Sequence, residues 1–121
     1  MKYMLLIYNR PGFAEQMSEQ ERTELFGEVD AIMAELTDSG EWVAGQALAD
    51  PSNTRTVRMR GGQTDVTDGP FLESKEQFAG YLTIDCENIQ RAEEIAARWP
   101  DVRYGGVMEV RAIMEEAGTE M

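Results

Sequence analysis

The stretch "TDGPFLESKEQFAGY", residues 67–81, gathers most of the side chains that could do chemistry in this chain. Asp68 and Glu73 are two carboxylates five positions apart, with Lys75 and Glu76 close behind. A pair of carboxylates in one partly desolvated place can act as general acid and base, because burial and like charge both raise a carboxyl pKa. Lys75 would oppose that shift. Asp68-Gly69-Pro70 is also a strong turn: aspartate accepts from nearby backbone N–H groups, glycine takes unusual φ, and proline fixes φ. Phe71 is expected to point inward and anchor the loop. Two readings stand side by side: a corner capped by Asp68 with solvated charges after it, or a corner that builds a site.

Further candidates lie near the end of the chain. In "GVMEVRAI", Glu109 and Arg111 fall on one strand face with Val107 and Ile113. They read either as a cross-strand ion pair or as a polar pair in a cavity, where Arg111 could grip a carboxylate through its planar fork. Tyr3, Tyr8 and Tyr81 could each bring a hydroxyl to a pocket, or serve as core rings with the oxygen at the boundary. Arg58 and Arg60 share a face of "TRTVRMR" and read as charges that guard a strand edge.

Absences narrow the chemistry. The chain has no histidine and one cysteine, Cys86. Ser-His-Asp and Cys-His nucleophilic systems, histidine-based metal sites, paired redox cysteines and an internal disulfide are therefore excluded. No glycine-rich phosphate loop occurs. No metal or cofactor is expected, and catalysis would have to use carboxylates, lysine, arginine, tyrosine or the backbone. The 23 acids and 11 bases give a net charge of −12. Such a surface repels nucleic acids and anionic membranes and suits a basic partner. Across residues 15–41 there are nine acids and one arginine, which read as a solvated helix face. The single cysteine fits a cytoplasmic protein, and neither a signal peptide nor a membrane span is expected.

The elements that must position these groups are legible. "YMLLIY", residues 3–8, is a continuous apolar run bounded by Asn9 and Pro11, read as a strand buried on both faces. Ser18 with Glu21 three residues on is a capping box. Leu25, Val29, Ile32 and Leu36 then repeat at helical spacing, Phe26 and Met33 widen the stripe, and Gly40 supplies the stop. "EWVAGQALAD" reads as a strand closed by Asp50-Pro51. Gly61-Gly62 joins two strand-like segments as a hairpin. "QFAGYLTID" is a strand with Phe78, Leu82 and Ile84 expected on one face and Tyr81 and Thr83 on the other. Asn88 caps a second helix whose stripe is Ile89, Ala92, Ile95, Ala96 and Trp99, ended by Pro100. "YGGVMEVRAI" is the last strand. The domain is expected to run over residues 1–114, with a short frayed tail at 115–121.

The order β-α-β-β-(β)-β-α-β, two helices and about five strands, predicts an α+β fold: a ferredoxin-like split βαβ antiparallel sheet with two helices on one face. The uncovered face should be buried too, and a second copy of the same sheet is the simplest cover. A two-fold dimer follows as an expectation.

"DGPFLESKEQFAGYL" resembles the DGPF signature of the YCII-related proteins, whose common form is DGPFxExKE. Asp68, Gly69, Pro70, Phe71, Glu73, Lys75 and Glu76 occupy that pattern. The similarity extends to "MKYMLLIY", "VAGQAL", "TRTVRMRGG" and "GGVMEVRAI". The resemblance implies a ferredoxin-like fold that dimerises into an α/β barrel with a cavity. It also implies a small bacterial protein, some of whose relatives sit beside or are fused to extracytoplasmic-function sigma factors. A His and Asp pair is suggested to carry enzymatic roles in the wider superfamily. This chain has no histidine, so that pair does not carry over. The expected function is a homodimeric small-ligand-binding or regulatory module, with a sigma factor as a candidate partner. The alternative is a cofactor-free enzyme on a small organic acid. Asp68 and Glu73 would then be acid and base, and Phe71, Lys75, Tyr81, Glu109 and Arg111 would contact the ligand.

Overall fold

A computed structural model describes residues 1–114. The expected tail at 115–121 lies outside the described residues. The elements run β1 (Lys2–Asn9), α1 (Glu19–Ser39), β2 (Trp42–Ala47), β3 (Arg55–Arg60), β4 (Gln63–Asp68), β5 (Gln77–Asp85), α2 (Ile89–Arg98) and β6 (Val107–Ala112). A four-stranded antiparallel sheet has the order β2-β5-β1-β6. Without the β3–β4 hairpin, which among the described residues pairs only with itself, this is the split βαβ topology.

Local chemistry sets the helix ends. Ser18 Oγ accepts from Glu21 N at 3.1 Å and Glu21 Oε1 accepts from Ser18 N at 2.9 Å, so the capping box is complete. Gly40 ends α1 at φ 81°, and Asn88 caps α2 by accepting from Arg91 N. Both helices pack on one sheet face. Leu5, Leu82, Ile84, Leu36 and Ile95 are almost fully buried there, and truncating one to alanine would cost about 2–5 kcal/mol. Ile89, expected in the α2 stripe, is 39% exposed, because it starts the helix beyond the edge of that core.

Acids of α1 and of its exit serve as clamps rather than as a merely solvated face. Arg91 donates to both oxygens of Glu41 at 2.9 Å, and Arg98 holds Glu35 through two bonds at 2.7 and 2.9 Å. These forks tie α2 to α1 and to its exit.

β1 alternates rather than burying both faces equally. Tyr3, Leu5, Ile7 and Asn9 enter the helix-side core, while Met4, Leu6 and Tyr8 are half-buried on the open face. The second face lacks a covering layer among the described residues.

β5 corrects one expectation. Phe78 pairs with Tyr8 on the open face and does not join Leu82 and Ile84. The register shifts between Ile7↔Gly80 and Tyr8↔Phe78, leaving Ala79 as an extra residue. A bulge of this kind moves every side chain beyond it to the other face.

Candidate functional site

The corner is held mainly by backbone and by threonine. β4 ends at Asp68, and Gly69 turns the chain at φ 93°. Gly69 N–H donates to Thr54 O at 2.8 Å, and Thr56 Oγ1 donates to Gly69 O at 2.8 Å. The Asp68 carboxylate pairs with the Arg55 guanidinium across the hairpin, and its side chain is 86% exposed. Thus Asp68 does not cap the turn and is not desolvated. Phe71 is also corrected. It is 66% exposed instead of pointing inward, and the Arg58 guanidinium stands 5.3 Å from its ring centroid. The reason is that a two-stranded hairpin has no core beneath it, so the ring takes a cationic face instead. Glu73, Lys75 and Glu76 are exposed on the following loop. Gln77 Nε2 braces that loop through Leu72 O and Ser74 O at 3.0 and 3.1 Å. Pro70, Phe71, Leu48, Pro51 and Phe78 wall an open depression of about 530 Å³. Neither Asp68 nor Glu73 lines it.

Tyr81, Glu109 and Arg111 lie elsewhere, on the open sheet face. Leu6 pairs with Tyr81 on one side and Glu109 on the other, and Met4 pairs with Thr83 and Arg111. Tyr8 completes this surface, its ring 5.6 Å from that of Phe78. Hydrogen bonding to the Glu109 carboxylate, then burial, pushes the Tyr8 phenol above its ordinary value, against the opposing charge of Arg111. The two sets of sequence candidates therefore occupy different places.

A third place was not expected. Between α1, residues 10–17 and the helix-side sheet face lies a cavity of about 370 Å³. Its walls include Phe13, Trp42 and Trp99. Gly45 gives the Trp42 indole room: a Cβ there would come within 2.7 Å of the ring. Arg22, Gln46 and Tyr81 also line it, and two buried polar side chains, those of Asn9 and Asp101, interrupt its apolar wall. Asn9 and Asp101 are each 8% exposed, and Asn9 Nδ2 donates to Asp101 Oδ2 at 2.7 Å. Desolvation pushes the Asp101 carboxyl above its ordinary range, opposed by that bond and by its own backbone N–H. Asn9 Oδ1 is buried without a donor among the described residues. Gly106 packs against it so closely that a Cβ would fall 2.4 Å away. A buried carboxyl with a raised pKa in a concave, mostly apolar wall can bind a polar group or take part in proton transfer.

Asp101 was missed because "RWPDV" reads as a helix stop. In the fold, Pro100–Tyr104 forms a short 3-10 turn that turns Asp101 inward. The available signal was Asn9, a polar residue at the fourth buried position of β1 after Tyr3, Leu5 and Ile7. Among the described residues no group of three or more His, Cys, Asp or Glu side chains converges as a metal site, and no helix is long and apolar enough to cross a membrane.

A ferredoxin-like α+β domain with a cavity under its first helix is the class this geometry defines. Its relatives place it further. The chain matches the family model of the YCII-related domain over residues 1–117, and it belongs to that family. It is 30% identical over 96 residues to an uncharacterised protein of Rhizobium meliloti strain 1021, covering 79% of this chain and 77% of that one. Among solved structures it is similar in fold to the 5-chloro-2-hydroxyhydroquinone dehydrochlorinase of Burkholderia phenoliruptrix AC1100 in complex with 2,5-dihydroxybenzoquinone. That likeness has a TM-score of 0.56 at 14% identity and covers 99% of this chain and 100% of the other.

Proposed function

We propose that this protein is a homodimeric small-molecule-binding module whose ligand site is the cavity under α1. The observation that carries this reading is the Asn9–Asp101 pair, a carboxyl set into an apolar wall where its charge is disfavoured. Groups kept at such a cost are common at functional sites. The open sheet face supports the dimer: Met4, Leu6, Tyr8 and Phe78 form an apolar surface that a second copy would cover, enclosing Glu109 and Arg111. A cytoplasmic location and a basic partner surface, with a sigma factor as the family-suggested case, complete this reading. The fold neighbour, an enzyme seen with a small cyclic ligand, supports the scale of the molecule by fold analogy alone.

A second reading is favoured by the same carboxyl. In a cofactor-free enzyme acting on a small organic acid, Asp101 would take the acid/base role. The exposed Asp68 and Glu73 lack the burial that this role needs, although Asp68→Ala and Glu73→Ala in a turnover assay test them directly.

The experiment is a thermal-shift screen of small cyclic compounds with wild type and Asp101→Asn, each checked for mass by light scattering. Compounds that raise the wild-type melting temperature should do so far less in Asp101→Asn at unchanged mass. Equal shifts in both proteins would remove the cavity as the site. Leu6→Arg on the open face should halve the mass, and an unchanged mass would sink the facing-sheet dimer.

A further inference from the structure

We infer that Arg22 is the anion anchor of the cavity under α1, and that the cavity takes a small, flat, largely apolar carboxylic acid with a hydrogen-bonding group at its far end. This rests on the reading of that cavity as a ligand site. Arg22 is the one base among nine acids across residues 15–41. It sits four residues past the N-cap Ser18, where the helix dipole disfavours a cation. Its position is on the buried stripe, three before Leu25 and seven before Val29, rather than on the solvent face. It is half-buried and lines the same cavity as Asn9 and Asp101.

Three of the acids near it in sequence are engaged elsewhere. Glu21 closes the capping box, Glu24 accepts from Gln20 at 3.3 Å, and Glu28 holds Arg103 at 2.7 Å. Arg55, Arg60, Arg91, Arg98 and Arg103 all hold carboxylates. Arg22 has no carboxylate partner among the described residues. Its hydrogen bond goes to Ala14 O at 3.5 Å, the outer limit of such a bond. In a chain with 23 acids and 11 bases, a half-buried guanidinium left in this state faces a cavity rather than a counter-ion. Its fork suits a carboxylate, which accepts two parallel N–H bonds.

The rest of the ligand follows from the other walls. Asp101 repels a second anion and accepts from a hydroxyl or amide. Phe13, Trp42 and Trp99 favour a flat apolar body, and about 370 Å³ is near the low end for ligand pockets, so one ring with two substituents fits.

Both tryptophans of the chain line the cavity, so intrinsic fluorescence reports its occupation. The test titrates para-hydroxybenzoate and its neutral amide, para-hydroxybenzamide, into wild type, Arg22→Gln, Arg22→Lys and Asp101→Asn at low salt. Fluorescence and calorimetry are read together, and the fold of each variant is confirmed by melting. The acid should bind wild type at least about tenfold more tightly than the amide. Arg22→Gln should lose about ten- to a hundredfold for the acid and nothing for the amide, with Arg22→Lys between. Acid and amide binding alike, both insensitive to Arg22, would overturn the anchor while leaving the cavity reading in place. Binding of neither compound would overturn the ligand class. If neutral phenols then bind in an Asp101-dependent way the cavity reading survives, and if none does it falls as well.

Discussion

The corner at residues 68–76 and the cavity around Asp101 are opposites. The corner is dense in motif: turn residues, three carboxylates, a lysine and an aromatic ring within nine positions. Yet its Asp68 is 86% exposed beside Arg55, and Phe71 lies outside the core. The cavity draws Asn9, Arg22 and Asp101 from three distant segments with no local signature, and it holds a carboxyl that is 8% exposed. What separates the two is solvent. Water screens the charges of the corner, whereas the cavity leaves its polar groups to one another.

Four substitutions can break or sharpen this contrast. The largest effect should come from Gly106→Ala. Its Cβ would meet Asn9 Oδ1 at 2.4 Å and Asp101 O at 2.8 Å, and denaturant unfolding should show a loss of about 3 kcal/mol. Asn9→Ala comes next. Removing the donor from a buried carboxyl should cost about 1–3 kcal/mol at neutral pH, and less in acid, where Asp101 is protonated before and after unfolding.

Asp101→Asn should go the other way. Because the folded carboxyl is raised, its stabilising contribution is complete below the ordinary carboxylate range and is lost as pH rises through the folded value. Asparagine keeps an acceptor for Asn9 and has no charge to bury. Melting curves should show a gain of about 0.5–2 kcal/mol at neutral pH, shrinking toward zero in acid. A loss of stability across all pH would mean that Asp101 is structural. Smallest is Asp68→Ala, where an exposed pair is removed and the change should stay within about 0.5 kcal/mol. A loss well above 1 kcal/mol would make the corner more than a surface turn.

Much of the frame was legible because its signals are local. The Ser18–Glu21 capping box, the Gly40 stop, and Gly61-Gly62 at φ 56° and 79° each act within a few residues. From these the helices, the hairpin and the split βαβ order follow. The site was less legible because it is built by pairing and packing. The extra residue at Ala79 depends on how β5 pairs with β1, and no run in "QFAGYLTID" announces it. Reading "YMLLIY" as one apolar block hid the alternation that carries on to Asn9. Arg22 was visible as the odd base in an acidic stretch, and only the cavity gives that oddness a place.

The hairpin that pairs only with itself has a consequence for how the molecule breathes. β1 and β5 are each flanked on both sides within the larger sheet, so their amide protons should exchange with solvent only when the whole domain opens. The β3–β4 strands have one partner each and Val57, Met59 and Val66 more than half exposed. Their amides should exchange through a local opening of that arm, orders of magnitude faster.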